Sequence, residues 1–184
     1  MAIATPPTGA PVQPWSAALD RFKTAHRKQG EASFFWYETH FQNIAVKVLR
    51  PEEVNIAAFK PVTASSVEKN GTEPEGAADN DPKSRWASAS SDPQWIMIDL
   101  EAEYSLKKIV VNWQNAAAKE YVIEPSCDGA IWNKVASVTD GKPGLRTFDL
   151  TGQRGRYLRL TGTKRTTGYG YSLFEMEAYG TPSR

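Results

Sequence analysis

A succession of short strand-like segments, with turns rather than helices between them, limits what residues 55–181 can form. Seven segments are rich in β-branched and aromatic residues, and turn sequences such as SDP, CDG, DGKPG and TGQRG separate them. The segments are 95–100, 107–113, 120–126, 132–138, 145–150, 156–162 and 172–180. Strands at intervals of about 8–12 residues, without helices between them, are typical of an all-β sandwich or barrel.

Residues 1–54 differ from this pattern and divide into two pieces. Residues 1–14 contain four prolines among small residues, which predicts an arm or linker. Residues 15–54 follow. Apolar residues recur at helical spacing from Trp15 towards Gly30, which predicts an amphipathic helix, and residues 34–49 predict one long strand or two short ones. We therefore expect a helix-plus-strand extension, and its sequence identifies no family.

Aromatic residues are concentrated in this extension, between Trp15 and Phe41. So many large apolar side chains in a short segment must be buried somewhere. Three arrangements would bury them: packing on the sandwich, pairing with a second copy of the chain, or packing on a catalytic domain of which this piece is the tail. The sequence leaves these alternatives open, and the oligomeric state with them.

The charge and hydropathy of the chain exclude several classes of partner. The formal net charge is +1, so no overall basic field indicates nucleic acid or an anionic membrane. No apolar window approaches the roughly 20 residues of a membrane span, and the N-terminus lacks the basic region and apolar run of a signal peptide. The single cysteine, Cys127, excludes an internal disulfide. The chain is expected to be either cytoplasmic as it stands or a piece of a longer secreted protein.

One acidic loop has the composition of a cation site. Asp79 and Asp81, with Ser84 after them, offer hard oxygen ligands at a spacing that suits calcium. The alternative is a solvated acidic turn, and spacing alone does not decide between the two.

Several motifs, in a fixed order, resemble a discoidin domain. They are NIAAFKPVTASS, AADNDPKSRWAS, PQWIMIDL, IVVNW, YVIEPSCDGAIW, GRYLRLTGT and SLFEMEAYG. This is the coagulation-factor C-type fold, and the likeness is greatest to bacterial family 32 carbohydrate-binding modules, including those attached to chitosanases and glucanases. The resemblance covers residues 55–181. It implies an eight-stranded antiparallel jelly-roll sandwich, with sugar-binding loops at one end, a structural calcium ion, and an extracellular role within a longer bacterial protein.

The resemblance also implies a set of calcium ligands. Four side chains and two backbone oxygens would hold the ion. The side chains are those of Asp79, Asp81, Ser84 and Glu175, and the backbone oxygens are those of Gly76 and Phe174. A shell of oxygens without His or Cys suits calcium rather than zinc. The resemblance assigns no role to Glu177.

The sugar site that the resemblance implies rests on four motifs: SSVE, SRWAS, NWQ and TGYGYSL. Residue by residue, they give Glu68, Arg85, Ser90 in the loop after SRWAS, and Gln114 as ligands of the sugar. Gln114 stands where these relatives carry glutamate, and Ser90 where they often carry an aromatic or acidic residue. An amine-bearing sugar needs carboxylates, so the departures favour neutral glucan-type or galactose-type sugars and leave chito-oligosaccharides open.

Other readings of the site residues compete with this one. Tyr169 stands between glycines and favours a contact role, and Tyr171 is a second candidate contact. Arg85 would serve structure rather than binding if it paired with Glu68. The tryptophans at 86, 95, 113 and 132 are expected in the core. The basic residues of one strand region could form a patch, although a solvated outer face is the simpler interpretation. They are Arg154, Arg156, Arg159, Lys164 and Arg165.

The sequence argues against catalysis. Both histidines lie in the extension, and no nucleophile elbow, HExxH or phosphate loop occurs. Glu175 and Glu177 lie on one strand, whereas glycosidase carboxylates flank a cleft from different elements. We expect a carbohydrate-binding protein, with an attached or lost catalytic domain as a further partner. The alternatives are a non-catalytic fragment of a larger glycoside hydrolase and a discoidin domain that binds protein or phospholipid. Polar loop tips and the lack of a bracketing disulfide disfavour the last.

Overall fold

Eight antiparallel strands make up the described part of the chain. A computed structural model of the protein describes residues 53–183, and the predicted arm, helix and strand of residues 1–49 lie outside this range. The strands are β1 Val62–Ala64, β2 Trp86–Ala87, β3 Gln94–Trp113, β4 Ala118–Ser126, β5 Ala136–Val138, β6 Gly144–Asp149, β7 Arg154–Arg165 and β8 Ser172–Pro182. A 3₁₀ helix at Pro74–Ala77 precedes β2. The prediction of an all-β, eight-stranded antiparallel fold is confirmed.

The 20-residue strand β3 connects two groups of strands. Its first half pairs with β1 and β7, and β7 continues to β4 and β5. Its second half pairs with β6 on one side and β8 on the other, and β8 continues to β2. The side chains of both halves alternate between buried and half-buried positions. This alternation gives each group one apolar face, as a β-sandwich requires.

A corner between Asp99 and Tyr104 separates the two halves of β3, where the register with β7 shifts. Glu101 has a φ of 64°, in the left-handed region that non-glycine residues rarely adopt. The Asp99 carboxylate accepts the Glu101 N–H at 2.7 Å and two hydrogen bonds from Arg156, each at 2.8 Å. The guanidinium of Arg156 is the main reason that the pKa of Asp99 lies below its ordinary value. The sequence predicts two strands here because the corner interrupts the alternation, and the structure joins them into one.

The core explains some of the tryptophans but not all. Trp86 and Trp113 are buried, as predicted. Trp95 is only half-buried, because it faces away from the buried Ile96 beside it on β3. Trp132 is also half-buried, and the Arg159 guanidinium carbon lies 3.9 Å from the centre of its ring. The prediction that Trp95 and Trp132 belong to the core is therefore wrong.

The basic residues of β7 are all paired with carboxylates. The ion pairs are Arg154–Glu103 at 2.7 Å, Arg156–Asp99 at 2.8 Å, Arg159–Glu124 at 3.0 Å, Lys164–Glu120 at 3.3 Å and Arg165–Asp92 at 3.2 Å. Each positive charge therefore has a nearby negative one, and the interpretation as a solvated outer face holds. Between residues 53 and 183, no helix is long and apolar enough to cross a membrane.

Candidate functional site

A cleft of about 400 Å³ opens among the loops that follow β1, β3 and β7, beside β2 and the start of β8. Most of its lining residues are of polar type, and they include one acidic and two basic side chains. The lining residues are Glu68, Lys69, Arg85, Ala87, Ser88, Gln114, Asn115, Ala116, Thr167, Tyr169, Gly170 and Ser172. Four of the six residues that the sequence assigns to sugar binding therefore meet around one cleft.

Strand β2 and its neighbours hold the first two of these residues in place. The Glu68 N–H donates to the Ala87 carbonyl at 2.7 Å, which ties the loop after β1 to β2. The indole N–H of Trp86 donates to the Ser66 carbonyl at 2.9 Å, two residues before Glu68. Arg85 directly precedes β2, whose first residue, Trp86, is buried. The buried Trp86 therefore fixes the backbone from which the Arg85 side chain extends.

The charged groups of Glu68 and Arg85 are available to a ligand. Neither side chain makes a hydrogen bond or ion pair with residues 53–183. The alternative in which Arg85 pairs with Glu68 is therefore wrong. A guanidinium and a carboxylate without partners, on the wall of one cleft, are the groups that fix hydroxyl-bearing ligands in polar sites.

Gln114 presents donors rather than acceptors to the cleft. Its side-chain oxygen accepts the Ala116 N–H at 2.9 Å, and its backbone N–H donates to the Ser172 carbonyl at 2.9 Å. The two N–H groups of its amide nitrogen remain for a ligand. Ser172, on the same wall, is 5% exposed, and its hydroxyl has no hydrogen-bond partner within the described residues 53–183.

Tyr169 is the aromatic residue of the rim. It is 71% exposed, in the loop between β7 and β8. The glycine after it is required by a close approach, because a Cβ on Gly170 would lie 2.0 Å from the Ser88 carbonyl oxygen. A Cβ on Gly168, the glycine before it, would meet nothing within 4 Å. Only one of the two glycines that flank Tyr169 therefore has a steric role.

Two predicted sugar contacts do not reach the cleft. Tyr171 is 1% exposed, its ring packs against Gly162, and its hydroxyl donates to Asp92. The predicted contact role of Tyr171 is therefore wrong, and it is a core residue. Ser90 is exposed but does not line the cleft.

A second cluster, of oxygens, lies between the acidic loop and β8. The Ser84 hydroxyl oxygen lies 2.7 Å from Asp79 Oδ1, 2.9 Å from the Asp81 carbonyl and 3.2 Å from the Gly76 carbonyl. One hydroxyl proton can serve only one of these three acceptors. The Asp81 carbonyl therefore also lies in the cluster, and the Asp81 carboxylate accepts the Lys83 N–H at 2.9 Å. The role predicted for the Asp81 side chain as a calcium ligand stays a prediction.

Glu175 brings a buried carboxylate to the same place. It is 7% exposed, and neither carboxylate oxygen has a hydrogen-bond partner of good geometry within residues 53–183. Burial and the charge of Asp79 raise the pKa of Glu175 to about 7. Phe174, just before it, has no register partner on β3, where the pairing shifts. No group of three His, Cys, Asp or Glu side chains with metal-site spacing occurs within residues 53–183, and this cluster instead combines two carboxylates with a hydroxyl and carbonyls.

Comparison with known families identifies the fold. The family model described as F5/8 type C domain matches residues 61–176. The chain belongs to the F5/8 type C domain family. The curated proteins give no match to the chain.

Solved structures similar to this F5/8 type C domain include chitosan-binding modules. Chitosan-binding module 1 of a chitosanase/glucanase from Paenibacillus sp. IK-5 is 40% identical, with a TM-score of 0.67, over 69% of this chain and 99% of the module. Module 2 of that enzyme, in complex with chitotriose, is 37% identical, with a TM-score of 0.67, over 68% of this chain and all of the module. The Clostridium perfringens module CpGH89CBM32-5, in complex with GalNAc-β-1,3-galactose, is 21% identical, with a TM-score of 0.59, over 65% of this chain and 94% of the module, and shows the shared fold.

The cleft of this F5/8 type C domain also includes residues that sequence reasoning missed. Lys69 and Asn115 each lie next to a residue that the motifs identify. Thr167 and Ser172 lie inside the motif TGYGYSL, in which only the tyrosines were assigned. Proximity to the motifs is the signal that would have found all four.

The two glycines of the rim provide a matched test of the loop geometry. We expect Gly170→Ala to lower the free energy of unfolding by about 2 kcal/mol or more, because its Cβ would force the backbone at Ser88 to move. Gly168→Ala, which adds a Cβ in open space, should change it by less than about 0.5 kcal/mol. Urea denaturation of both variants measures the difference. Equal effects would contradict the close approach at Gly170.

Proposed function

We propose that this F5/8 type C domain is a non-catalytic carbohydrate-binding module that takes a glycan in the cleft. The observation that carries the proposal is the meeting of Glu68, Arg85, Gln114 and Tyr169 around one opening, with their charged or donor groups not used by the fold. Sugars bind through hydrogen bonds to their hydroxyls and contact of their C–H faces with an aromatic ring. The cleft supplies both kinds of group.

The donor groups of the cleft favour a neutral sugar over glucosamine. Gln114 offers two N–H donors, and Arg85 and Lys69 add positive charge against the single carboxylate of Glu68. A hydroxyl oxygen can accept from these donors, whereas a protonated amine is repelled by them. Neutral glucan-type or galactose-type sugars should therefore bind better than chito-oligosaccharides. The chitosan-binding modules of Paenibacillus support a glycan ligand, and the two N–H donors of Gln114 support the preference for a neutral sugar.

The positions of the carboxylates favour a role in binding rather than in hydrolysis. Hydrolysis of a glycosidic bond requires two carboxyl groups on opposite sides of the bond. Among residues 53–183, Glu68 is the one carboxylate that lines the cleft, and neither Glu175 nor Glu177 reaches it. The similar modules of chitosanase/glucanase support attachment to a catalytic domain in a longer, extracellular protein. The rim exposes one aromatic side chain, Tyr169, among polar residues, which is unlike a membrane-inserting surface.

Calorimetric titration tests the site and the preference together. We expect wild type to bind laminaritriose or galactose more tightly than the glucosamine trisaccharide chitotriose, with a Kd in the micromolar to millimolar range, about −8 to −4 kcal/mol. Gln114→Glu should strengthen chitotriose binding by about tenfold, because the carboxylate replaces a donor with a charged acceptor.

Arg85→Ala and Lys134→Ala form the matched pair for this titration. Both remove one positive charge, but Lys134 is exposed and does not line the cleft. Arg85→Ala should weaken binding by about tenfold or more, and Lys134→Ala should leave it unchanged. The proposed site would be overturned if wild type showed no measurable binding to laminaritriose, galactose or chitotriose. It would also be overturned if the two variants bound these sugars with equal affinity.

We also propose that the oxygen cluster holds a structural calcium ion. The residues fit such an ion, because the buried Glu175 carboxylate has no hydrogen bond of good geometry within residues 53–183. In addition, the single Ser84 hydroxyl proton faces three oxygens. Hard oxygen ligands would come from the side chains of Asp79, Asp81, Ser84 and Glu175, together with the carbonyls of Gly76 and Phe174. The Asp81 carbonyl, 2.9 Å from the Ser84 hydroxyl, is a further candidate ligand. Calcium there would neutralise the carboxylates and tie the acidic loop to β8.

The effect of calcium on thermal stability tests this second proposal. At a calcium concentration about 100 times the Kd, binding to the folded state should add about 2.7 kcal/mol and raise Tm by roughly 5–10 °C over chelator. Glu175→Gln should abolish this increase. In chelator, the same variant should be more stable than wild type, because it removes a buried carboxylate that has no partner.

Glu177→Gln is the control for calcium binding. Glu177 lies two residues further along β8 and accepts a hydrogen bond from the Tyr179 hydroxyl. This variant should keep the full calcium-dependent increase in Tm. An unchanged Tm for wild type, or an increase that persists in Glu175→Gln, would exclude the ion from this cluster.

A further inference from the structure

An arginine outside the cleft holds the rim loop that carries Tyr169. Arg165, the last residue of β7, does not line the cleft. Its Nη1 donates to the carbonyl of Gly168 at 3.2 Å and to that of Tyr169 at 3.4 Å. On its other side, Arg165 Nε lies 3.2 Å from Asp92 Oδ1 and 3.3 Å from Oδ2. One guanidinium therefore links the rim loop to the loop before β3.

Asp92 connects this arginine to the core. Its carboxylate also accepts a hydrogen bond from the buried Tyr171 hydroxyl. The backbone N–H of Tyr171 donates to the Ser88 hydroxyl at 2.9 Å. Burial and the Asp92 carboxylate raise the pKa of Tyr171, so its hydroxyl remains a donor at neutral pH. The chain thus fixes the rim loop from both ends, with Tyr169 between them.

The Tyr169 side chain itself is mostly exposed and packs little against the rest of the domain. It is 71% exposed, so packing does not determine where it lies. Its backbone is held instead, by the Arg165 hydrogen bond to its carbonyl and by its own N–H, which donates to the Thr167 hydroxyl at 3.2 Å. Residues of an exposed loop lose conformational entropy when a ligand orders them, and a loop ordered in advance avoids that loss.

We infer that Arg165 and Asp92 are positioning residues for glycan binding: they order the rim loop in advance and set the place of the Tyr169 ring without contacting the sugar. The inference rests on the proposed function of the cleft. The hydrogen bonds from Arg165 to two backbone carbonyls of the rim loop separate this ion pair from the other four on β7, whose basic side chains pair with carboxylates and donate to no backbone carbonyl in the described part of the chain. Arg154, for example, pairs with Glu103 at 2.7 Å, away from the rim loop.

A double-mutant cycle tests the inference with laminaritriose and chitotriose as probes. Arg165→Met keeps the length of the side chain and removes its hydrogen bonds, and it should weaken binding by roughly five- to tenfold. In the Tyr169→Ala background, Arg165→Met should have little further effect, because the ring that it positions is gone. In the Glu68→Gln background its effect should persist in full. Arg154→Met is the matched control and should leave affinity unchanged.

Hydrogen exchange provides a measurement that needs no sugar. Arg165→Met should speed amide exchange at Tyr169 and Tyr171 while the rest of the sheet keeps its protection, and Arg154→Met should not. The positioning role would be overturned if Arg165→Met weakened binding equally in wild type and in the Tyr169→Ala background. Unchanged amide exchange in the rim loop of Arg165→Met would also overturn it. If neither probe binds wild type, the proposed function fails, and the exchange measurement still decides whether Arg165 orders the loop.

Discussion

The continuity of β3 through a corner is the constraint on which the rest of the structure depends. A strand of 20 residues reaches both groups of strands, and it can do so because Asp99 accepts the Glu101 N–H and binds Arg156 where the register shifts. The second half of β3 then ends at Trp113, next to Gln114 on the wall of the cleft. The same half pairs with β8, which places Glu175 opposite Asn112 and beneath the acidic loop. Both candidate sites thus lie on elements that β3 aligns.

The polar residues around the cleft divide according to whether the fold already uses them. Asp92, Arg165 and the Tyr171 hydroxyl satisfy one another, and the Gln114 oxygen is taken by Ala116. Such groups give the cleft its shape but have little left to offer a ligand. The Arg85 guanidinium, the Glu68 carboxylate and the Gln114 amide nitrogen have no such partners within residues 53–183. Selectivity among sugars should therefore follow from these few groups, which are mostly donors.

How far the sequence predicts the structure depends on whether a feature is local. Alternation of apolar residues predicts most strands, but β1 and β2 are three and two residues long, too short to show a period. The motifs bring four sugar-site residues to one cleft. They fail for Tyr171, because its burial depends on Gly162, a distant residue whose missing side chain leaves room for the ring. Likewise, the orientation of the Gln114 amide depends on where the Ala116 N–H points, which only the folded loop determines.

The most direct test of the account is an NMR titration of the wild-type protein with laminaritriose, which also detects binding at millimolar Kd. The account predicts that the amide resonances of the cleft lining shift in a saturable way, those of Arg85, Gln114 and Tyr169 among them, while those of the outer face around Trp132 and Arg159 do not. Saturable shifts centred on Trp132 and Arg159, with the cleft unchanged, would contradict it.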